Sequence, residues 1–202
     1  MENCRKNLLA GLNELKITLN DRQIEQLLAF ITLIEKWNKA YNLTAIRNKE
    51  AMVSLHLLDS LAIAPHLTGQ RHIDIGTGAG LPGIPLAICF PDMEFTLLDS
   101  NAKKTRFVQQ AVLELKLSNV RVLHQRVENY YDEQGFATVI TRAFADLSDI
   151  VELTAHLLGK DGVLLAMKGQ APDEQTLNAN MRLIPINVPG IEAARCLVKI
   201  AL

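Results

Sequence analysis

The run Asp74-Ile75-Gly76-Thr77-Gly78-Ala79-Gly80-Leu81-Pro82-Gly83 constrains this chain more than any other feature. Ile73 to Ile75 read as the tail of a buried strand, and Ile84 to Phe90 resume an apolar pattern that suits a helix. The glycines between them form a tight turn. Glycine adopts positive φ without the roughly 1–2 kcal/mol cost of a Cβ, and it lets a ligand approach the bare main chain. Asp99 closes the next apolar run, Phe95-Thr96-Leu97-Leu98, where a second parallel strand would deliver a carboxylate to ribose hydroxyls. A pocket for a nucleotide-like cofactor is expected at Asp74, Gly76, Gly78, Gly80, Leu81 and Asp99.

The glycines alone do not choose the cofactor, because Gly78-Ala79-Gly80-Leu81-Pro82-Gly83 also satisfies the dinucleotide pattern G-x-G-x-x-G. That reading needs a helix whose start faces a pyrophosphate, and Pro82 and Pro85 sit where it should begin. Two prolines this close are expected to push the helix start downstream and leave a longer, stiffer loop. S-adenosylmethionine carries no phosphate and is cationic at sulfur. Its pocket favours carboxylates beside a close backbone turn, and Asp74 and Asp99 are expected to supply both charges.

With 202 residues and 49% hydrophobic content, the chain suits one domain with a small appendage. A net charge of −1 gives no global basic field, so any nucleic-acid surface must be a local patch. Cys4, Cys89 and Cys196 are odd in number and lack C-x-x-C spacing, which fits reduced cytoplasmic thiols and supplies no zinc site. No apolar run approaches the roughly 20 residues of a membrane span, and the polar start lacks the apolar core of a signal peptide. A soluble cytoplasmic protein, without membrane or metal, is expected.

Residues 1–65 read as a helical appendage and 66–202 as the main domain. Asn20 and Gln23 can form a capping box, and Ile24, Leu27, Leu28, Ile31, Ile34 and Trp37 recur at helical spacing. A second amphipathic segment runs from Met52 to Ala64 and stops at Pro65. His56 and Asp59 share one helical face and are expected to form a buried pair. From His72 onward, apolar runs at Ile73–Ile75, Phe95–Leu98, Val120–Leu123, Val139–Thr141 and Val163–Met167 alternate with helical segments, most clearly Ala102 to Leu117. Five such units imply a mostly parallel sheet with right-handed crossovers. Leu183–Val188 and Arg195–Ala201 then read as antiparallel strands joined by a tight loop through Pro189-Gly190. The fold expected is α/β: a Rossmann-like, mostly parallel sheet with a terminal antiparallel hairpin, which by analogy at the level of fold resembles the plan of class I methyltransferases. A dinucleotide enzyme usually adds a substrate domain, for which little chain remains.

Seven segments in one order carry a closer likeness: Trp37-Asn38-Lys39-Ala40-Tyr41-Asn42-Leu43-Thr44, His56-Leu57-Leu58-Asp59-Ser60, Asp74 to Leu86, Leu97-Leu98-Asp99-Ser100, Arg126-Val127-Glu128, Thr141-Arg142-Ala143-Phe144-Ala145 and Lys168-Gly169-Gln170. Together they resemble the bacterial RsmG (GidB, glucose-inhibited division protein B) family of small-subunit rRNA methyltransferases across nearly the whole chain. The resemblance implies an S-adenosylmethionine-dependent enzyme that methylates N7 of guanosine 527 in the 530 loop of 16S rRNA, naked or within the 30S subunit or its precursor. It further implies that Gly76, Leu81, Val127, Glu128 and Arg142 bind the donor, with Asp99 matching the ribose-binding acid by strand-end position. Lys168 and Arg195 fall where the resemblance places substrate-side basic residues, and Arg142 joins them. A monomer is expected.

Guanine N7 already offers a lone pair, so transfer to it needs no general base and no protein nucleophile; positioning dominates. Cytosine C5 transfer would need an activated cysteine that Val139 to Ala145 lacks, and the Asn/Asp-Pro-Pro-Tyr/Phe run of adenine N6 enzymes is replaced by Thr141-Arg142-Ala143-Phe144. Phe144 is a candidate to stack on a flipped base. Lys36, Lys39, Arg47, Lys49, Lys103, Lys104 and Arg106 are weaker candidates for RNA contact. Trp37, Asn38, Tyr41 and Asn42 are expected to wedge the appendage against the sheet. Leu55 stands where relatives often carry arginine, Cys196 where histidine is frequent, and no basic tail follows Leu202. An NAD-dependent oxidoreductase and a non-catalytic rRNA-binding assembly factor are the alternatives.

Overall fold

The computed structural model describes residues 1–142, 147–172 and 177–201. The appendage opens with α1 (Glu2–Glu14) and α2 (Asp21–Tyr41). Asn20 caps α2 through the expected box: its Oδ1 accepts from the Gln23 N–H at 2.9 Å, and Gln23 Oε1 accepts from the Asn20 N–H at 3.0 Å. The predicted stripe from Ile24 to Ile34 is buried, and Trp37 packs in tilted ring contacts with Tyr41 and Phe107. Asn42 ends α2 in the left-handed conformation, and Asn38 ties the exit by exchanging two hydrogen bonds with the Thr44 backbone. The expected wedge against the sheet is instead a contact with Phe107 of the helix Ala102–Leu115 and with the chain just past α2.

The Met52–Ala64 segment departs from a plain helix. It comprises α3 (Lys49–Met52), a π-helical stretch over Val53–Leu58 and α4 (Asp59–Leu61), with a 3-10 turn at Ala64–His66. A π segment widens the turn by one residue, so 3.6-residue periodicity does not reveal it.

Seven strands follow: β1 (Arg71–Ile75), β2 (Glu94–Asp99), β3 (Val120–His124), β4 (Phe136–Arg142), β5 (Leu158–Lys168), β6 (Met181–Ile186) and β7 (Arg195–Ala201). Their order is β3-β2-β1-β4-β5-β7-β6, with the first five parallel and β7 antiparallel to both β5 and β6. Helices α5 (Gly83–Cys89), α6 (Ala102–Leu115) and α7 (Leu147–Thr154) cover the sheet. Pro185 is tolerated because β6 is an edge strand. One apolar cluster continues from Leu8, Leu27 and Phe30 of the appendage to Leu97, Ile140 and Leu197 of the sheet. A second, on the opposite face, gathers Ile73, Ile75, Val139 and Leu164 with Leu147 and Ile150 of α7. The alternation along each strand feeds both faces, which requires the near-continuous apolar runs seen in the sequence.

Two local expectations are corrected. Helix α5 begins at Gly83, directly after Pro82 and ahead of Pro85. The first-turn N–H groups of a helix have no intrahelical partner, so Pro85 in that turn costs no helical hydrogen bond. The terminal connection is also not tight: β6 ends at Ile186, and residues 187–194 form a longer loop. Val188 is buried in the core shared with the appendage, and a Cβ on Gly190 would meet Ser54 Oγ at 2.5 Å.

Candidate donor and substrate cavities at the strand ends

The parallel topology delivers the C-terminal ends of β1, β2 and β4 to one edge of the sheet, at the switch where strand order reverses. There the glycine turn folds back on β2: the N–H groups of Gly76 and Thr77 both donate to Leu98 O, at 2.8 and 3.1 Å. Gly76, Gly78 and Gly80 all have positive φ, and a Cβ on Gly78 would stand in open space, 3.8 Å from Gly76 O. The main chain at Gly78 is therefore bare toward the cavity.

Two carboxylates latch this turn. Asp99 accepts from the Gly78 N–H at 2.9 Å and from the Asn101 N–H at 2.8 Å, leaving each oxygen a further lone pair. Asp74 accepts from Thr77 Oγ1 at 2.7 Å and from the Gly83 N–H at 3.0 Å through one oxygen, while its Oδ1 has no partner. Burial pushes the Asp74 carboxyl up to about 6, despite these bonds and the field of Arg142. The third glycine of the G-x-G-x-x-G run, Gly83, gives its N–H to Asp74, and a Cβ there would meet Leu97 Cδ2 at 2.0 Å, so it seats α5 against β2.

Three cavities meet at this edge. One of about 270 Å³ is lined by Gly76, Asp99, Lys104, Val127, Glu128 and Arg142, among others. A second, of about 240 Å³, lies between the turn (Gly76, Gly78, Leu81) and the appendage (Thr44, His56), again with Lys104 and Arg142. The third, about 360 Å³, is walled by Leu55, Ile63, Met167 and Ile186 and carries Asp59, Arg142, Lys168, Arg195 and Cys196. Arg142, at the end of β4, lines all three.

Most site residues expected from sequence therefore converge: Gly76, Gly78, Leu81, Asp99, Val127 and Glu128 line the first two cavities, and Arg142, Lys168 and Arg195 the third. Two do not. Asp74 is 1% exposed and lines none of these cavities, because its carboxylate is committed to the turn; it braces the loop where it was expected to face a ligand. Gly80 faces inward, where a Cβ would meet Ile84 Cδ1 at 2.6 Å and Phe30 Cζ at 3.6 Å, so it serves packing. Phe144 lies outside the described residues.

The expected His56–Asp59 pair is also absent. His56 Nδ1 bonds Leu55 O and its Nε2 bonds Thr44 Oγ1, each at 3.0 Å, and desolvation lowers its pKa to about 4. Asp59 instead accepts from Arg142 Nη1 at 3.3 Å and from Arg195 Nε at 3.2 Å. Sequence reasoning placed Asp59 on a helix face but missed this junction, since its partners stand 83 and 136 residues away.

Likeness to known proteins agrees with this geometry. The profile described as rRNA small subunit methyltransferase G (GidB) matches residues 23–189. A ribosomal RNA small subunit methyltransferase G from Chromobacterium violaceum is 49% identical, covering 96% of both chains. One from Ectopseudomonas mendocina is 52% identical over 96% of this chain and 94% of its own. Among solved structures, a SAM-dependent methyltransferase from Aquifex aeolicus shares the fold at a TM-score of 0.54, with 14% identity, over 73% of this chain and 91% of that one. By motif, fold and full-length similarity, the chain belongs to the rRNA small subunit methyltransferase G family.

Proposed function

We propose that this protein transfers a methyl group from S-adenosylmethionine to N7 of guanosine 527 in the 530 loop of 16S rRNA. The observation that carries this reading is the position of Arg142, which lines two cavities built on the glycine turn and a third walled by aliphatic and basic side chains. The residues present fit the donor: a side-chain-free main chain at Gly78 in the wall of a cavity, and Asp99 acceptors with lone pairs to spare. When bound, S-adenosylmethionine supplies an electrophilic methyl on a positively charged sulfur.

In this reading Asp99, Gly76, Val127 and Glu128 hold the nucleoside end, and Gly78 and Leu81 line the remainder. Asp74 acts through the turn, holding Thr77 and Gly83 so that Gly78 keeps its conformation. His56 is neutral at pH 7 and adds no cation to the wall it shares with Gly78. The aliphatic side chains Leu55, Ile63, Met167 and Ile186 exclude water around an unstacked base, while Lys168, Arg195 and Arg142 meet phosphate. No proton leaves guanine N7 on methylation, so these groups orient and no general base is assigned. Residues 1–65 act as an appendage that completes the second cavity through Thr44 and His56.

The test is incubation of 16S rRNA lacking the modification, naked and as 30S particles, with labelled donor, followed by mass-spectrometric mapping of the methylated nucleotide. Transfer to guanosine 527 is expected; binding without transfer to any rRNA would leave only an assembly role.

A further inference from the structure

Three basic side chains, Arg142, Lys168 and Arg195, share the largest of these cavities with one carboxylate among the described residues, Asp59. That carboxylate is placed by the helical segment following the π stretch, and its side chain is only 9% exposed. It receives one guanidinium from the end of β4 and another from the start of β7, one on each oxygen. Both arginine side chains are about a quarter exposed, at 26% and 25%. Arg142 also reaches into both donor cavities, and its field is felt by His56 and Asp74.

A fixed guanidinium beside the donor poses an electrostatic problem. S-adenosylmethionine carries a positive sulfur that an unbalanced cation would repel, and the developing positive charge on the accepting base would meet the same repulsion. From the geometry we infer that Asp59 is a positioning residue that fixes Arg142 and Arg195 and cancels the charge of Arg142, so that an arginine can stand between donor and substrate without opposing a sulfonium. The inference rests on the S-adenosylmethionine reading and adds to it a selectivity between donor and product. With Asp59 in place the site accepts a cationic ligand; without its charge the site prefers the neutral-sulfur product, S-adenosylhomocysteine. The methyl group by which the two ligands also differ is the same in every variant, so a change of their affinity ratio on altering residue 59 reports the charge.

The test is calorimetric titration of wild type, Asp59→Asn and the double variant Asp59→Asn/Arg142→Gln with each ligand separately. An unbalanced cation in the wall of the donor cavities opposes a sulfonium and leaves a neutral sulfur almost unaffected, so Asp59→Asn should lose roughly tenfold for S-adenosylmethionine and less than about twofold for S-adenosylhomocysteine. The double variant removes both charges and should return the ratio of the two affinities to the wild-type value, whatever its absolute affinities. Equal weakening of both ligands, no change in either, or a ratio that the double variant fails to restore would overturn the role. Should wild type bind neither ligand, the donor reading itself falls, and this inference with it. Turnover on rRNA supplies a second readout: misplaced arginines should lower kcat of Asp59→Asn by about 10- to 100-fold.

Discussion

Replacing Gly78 by valine separates the binding function of the glycine turn from its structural one. The residue sits at φ +60°, where a β-branched side chain is strained, and among the described residues, its chain neighbours aside, its added Cβ would have Gly76 O alone within 4 Å, at 3.8 Å. The cost to folding is therefore backbone strain of about 1–3 kcal/mol, without a clash, which lowers Tm by roughly 2–12 °C in a chain of this length. The new side chain projects toward the cavity of about 240 Å³ shared with Thr44, His56 and Leu81. In thermal melts, S-adenosylhomocysteine at about 100 times its Kd stabilises the wild type by about 2.7 kcal/mol, or some 5–11 °C. Gly78→Val should show no such shift. Gly11→Ala is the matched control: its Cβ would meet Leu58 Cδ1 at 2.2 Å, far from the turn in sequence and on the appendage. Overpacking there costs a similar 1–3 kcal/mol, roughly, yet the ligand shift should persist. A full ligand shift in Gly78→Val, with the expected fall in its own Tm, would refute the assignment of the turn as a cradle.

Acid should destabilise the protein through buried histidines. His72 is fully buried with neither ring nitrogen bonded among the described residues, and desolvation lowers its pKa to about 4, as it does for His56. Between the ordinary value of 6.5 and about 4 the unfolded chain takes up protons that the folded chain refuses, so stability falls by about 2–3 kcal/mol per histidine as pH drops through that window. Asp74 works in the opposite sense below about 6, because its folded form binds the proton more readily than the unfolded one. Urea titrations of wild type and His72→Leu from pH 7.5 to 4.5 should show a shallower decline in the variant; parallel curves would exclude His72 as a source. Lys168→Ala should lower turnover while leaving donor affinity unchanged, since Lys168 lines the 360 Å³ cavity and neither donor cavity; a matching loss of donor affinity by calorimetry would contradict that division. Leu55 and Cys196 line the same cavity with uncharged side chains, so binding to the 530 region should depend on few phosphate contacts. Each contact contributes a salt slope of about 0.7–0.9 log units, and Arg195→Gln should reduce the slope by about that amount in filter binding; an unchanged slope would remove Arg195 from the interface.

Most of the strands and helices, and many residues lining the strand-end cavities, were legible in the sequence. Local rules act over a few residues, so the Asn20–Gln23 box, the α2 stripe, the strand runs and the glycine turn were all legible from spacing. Strand-end position likewise identified Asp99, because a parallel sheet brings its C-terminal ends to one edge. Tertiary structure decided which polar groups are spent on the fold and which face a cavity. Asp74 and Asp99 look alike in sequence, yet the return of Gly83 over β1 occupies one while the wall of a cavity exposes the other. Asp59 looked like a partner for His56 three residues before it. The π-helical stretch and the register of β7 against β5 brought it two arginines from distant segments instead, because a charge finds its lowest energy with whatever countercharge the assembled sheet delivers.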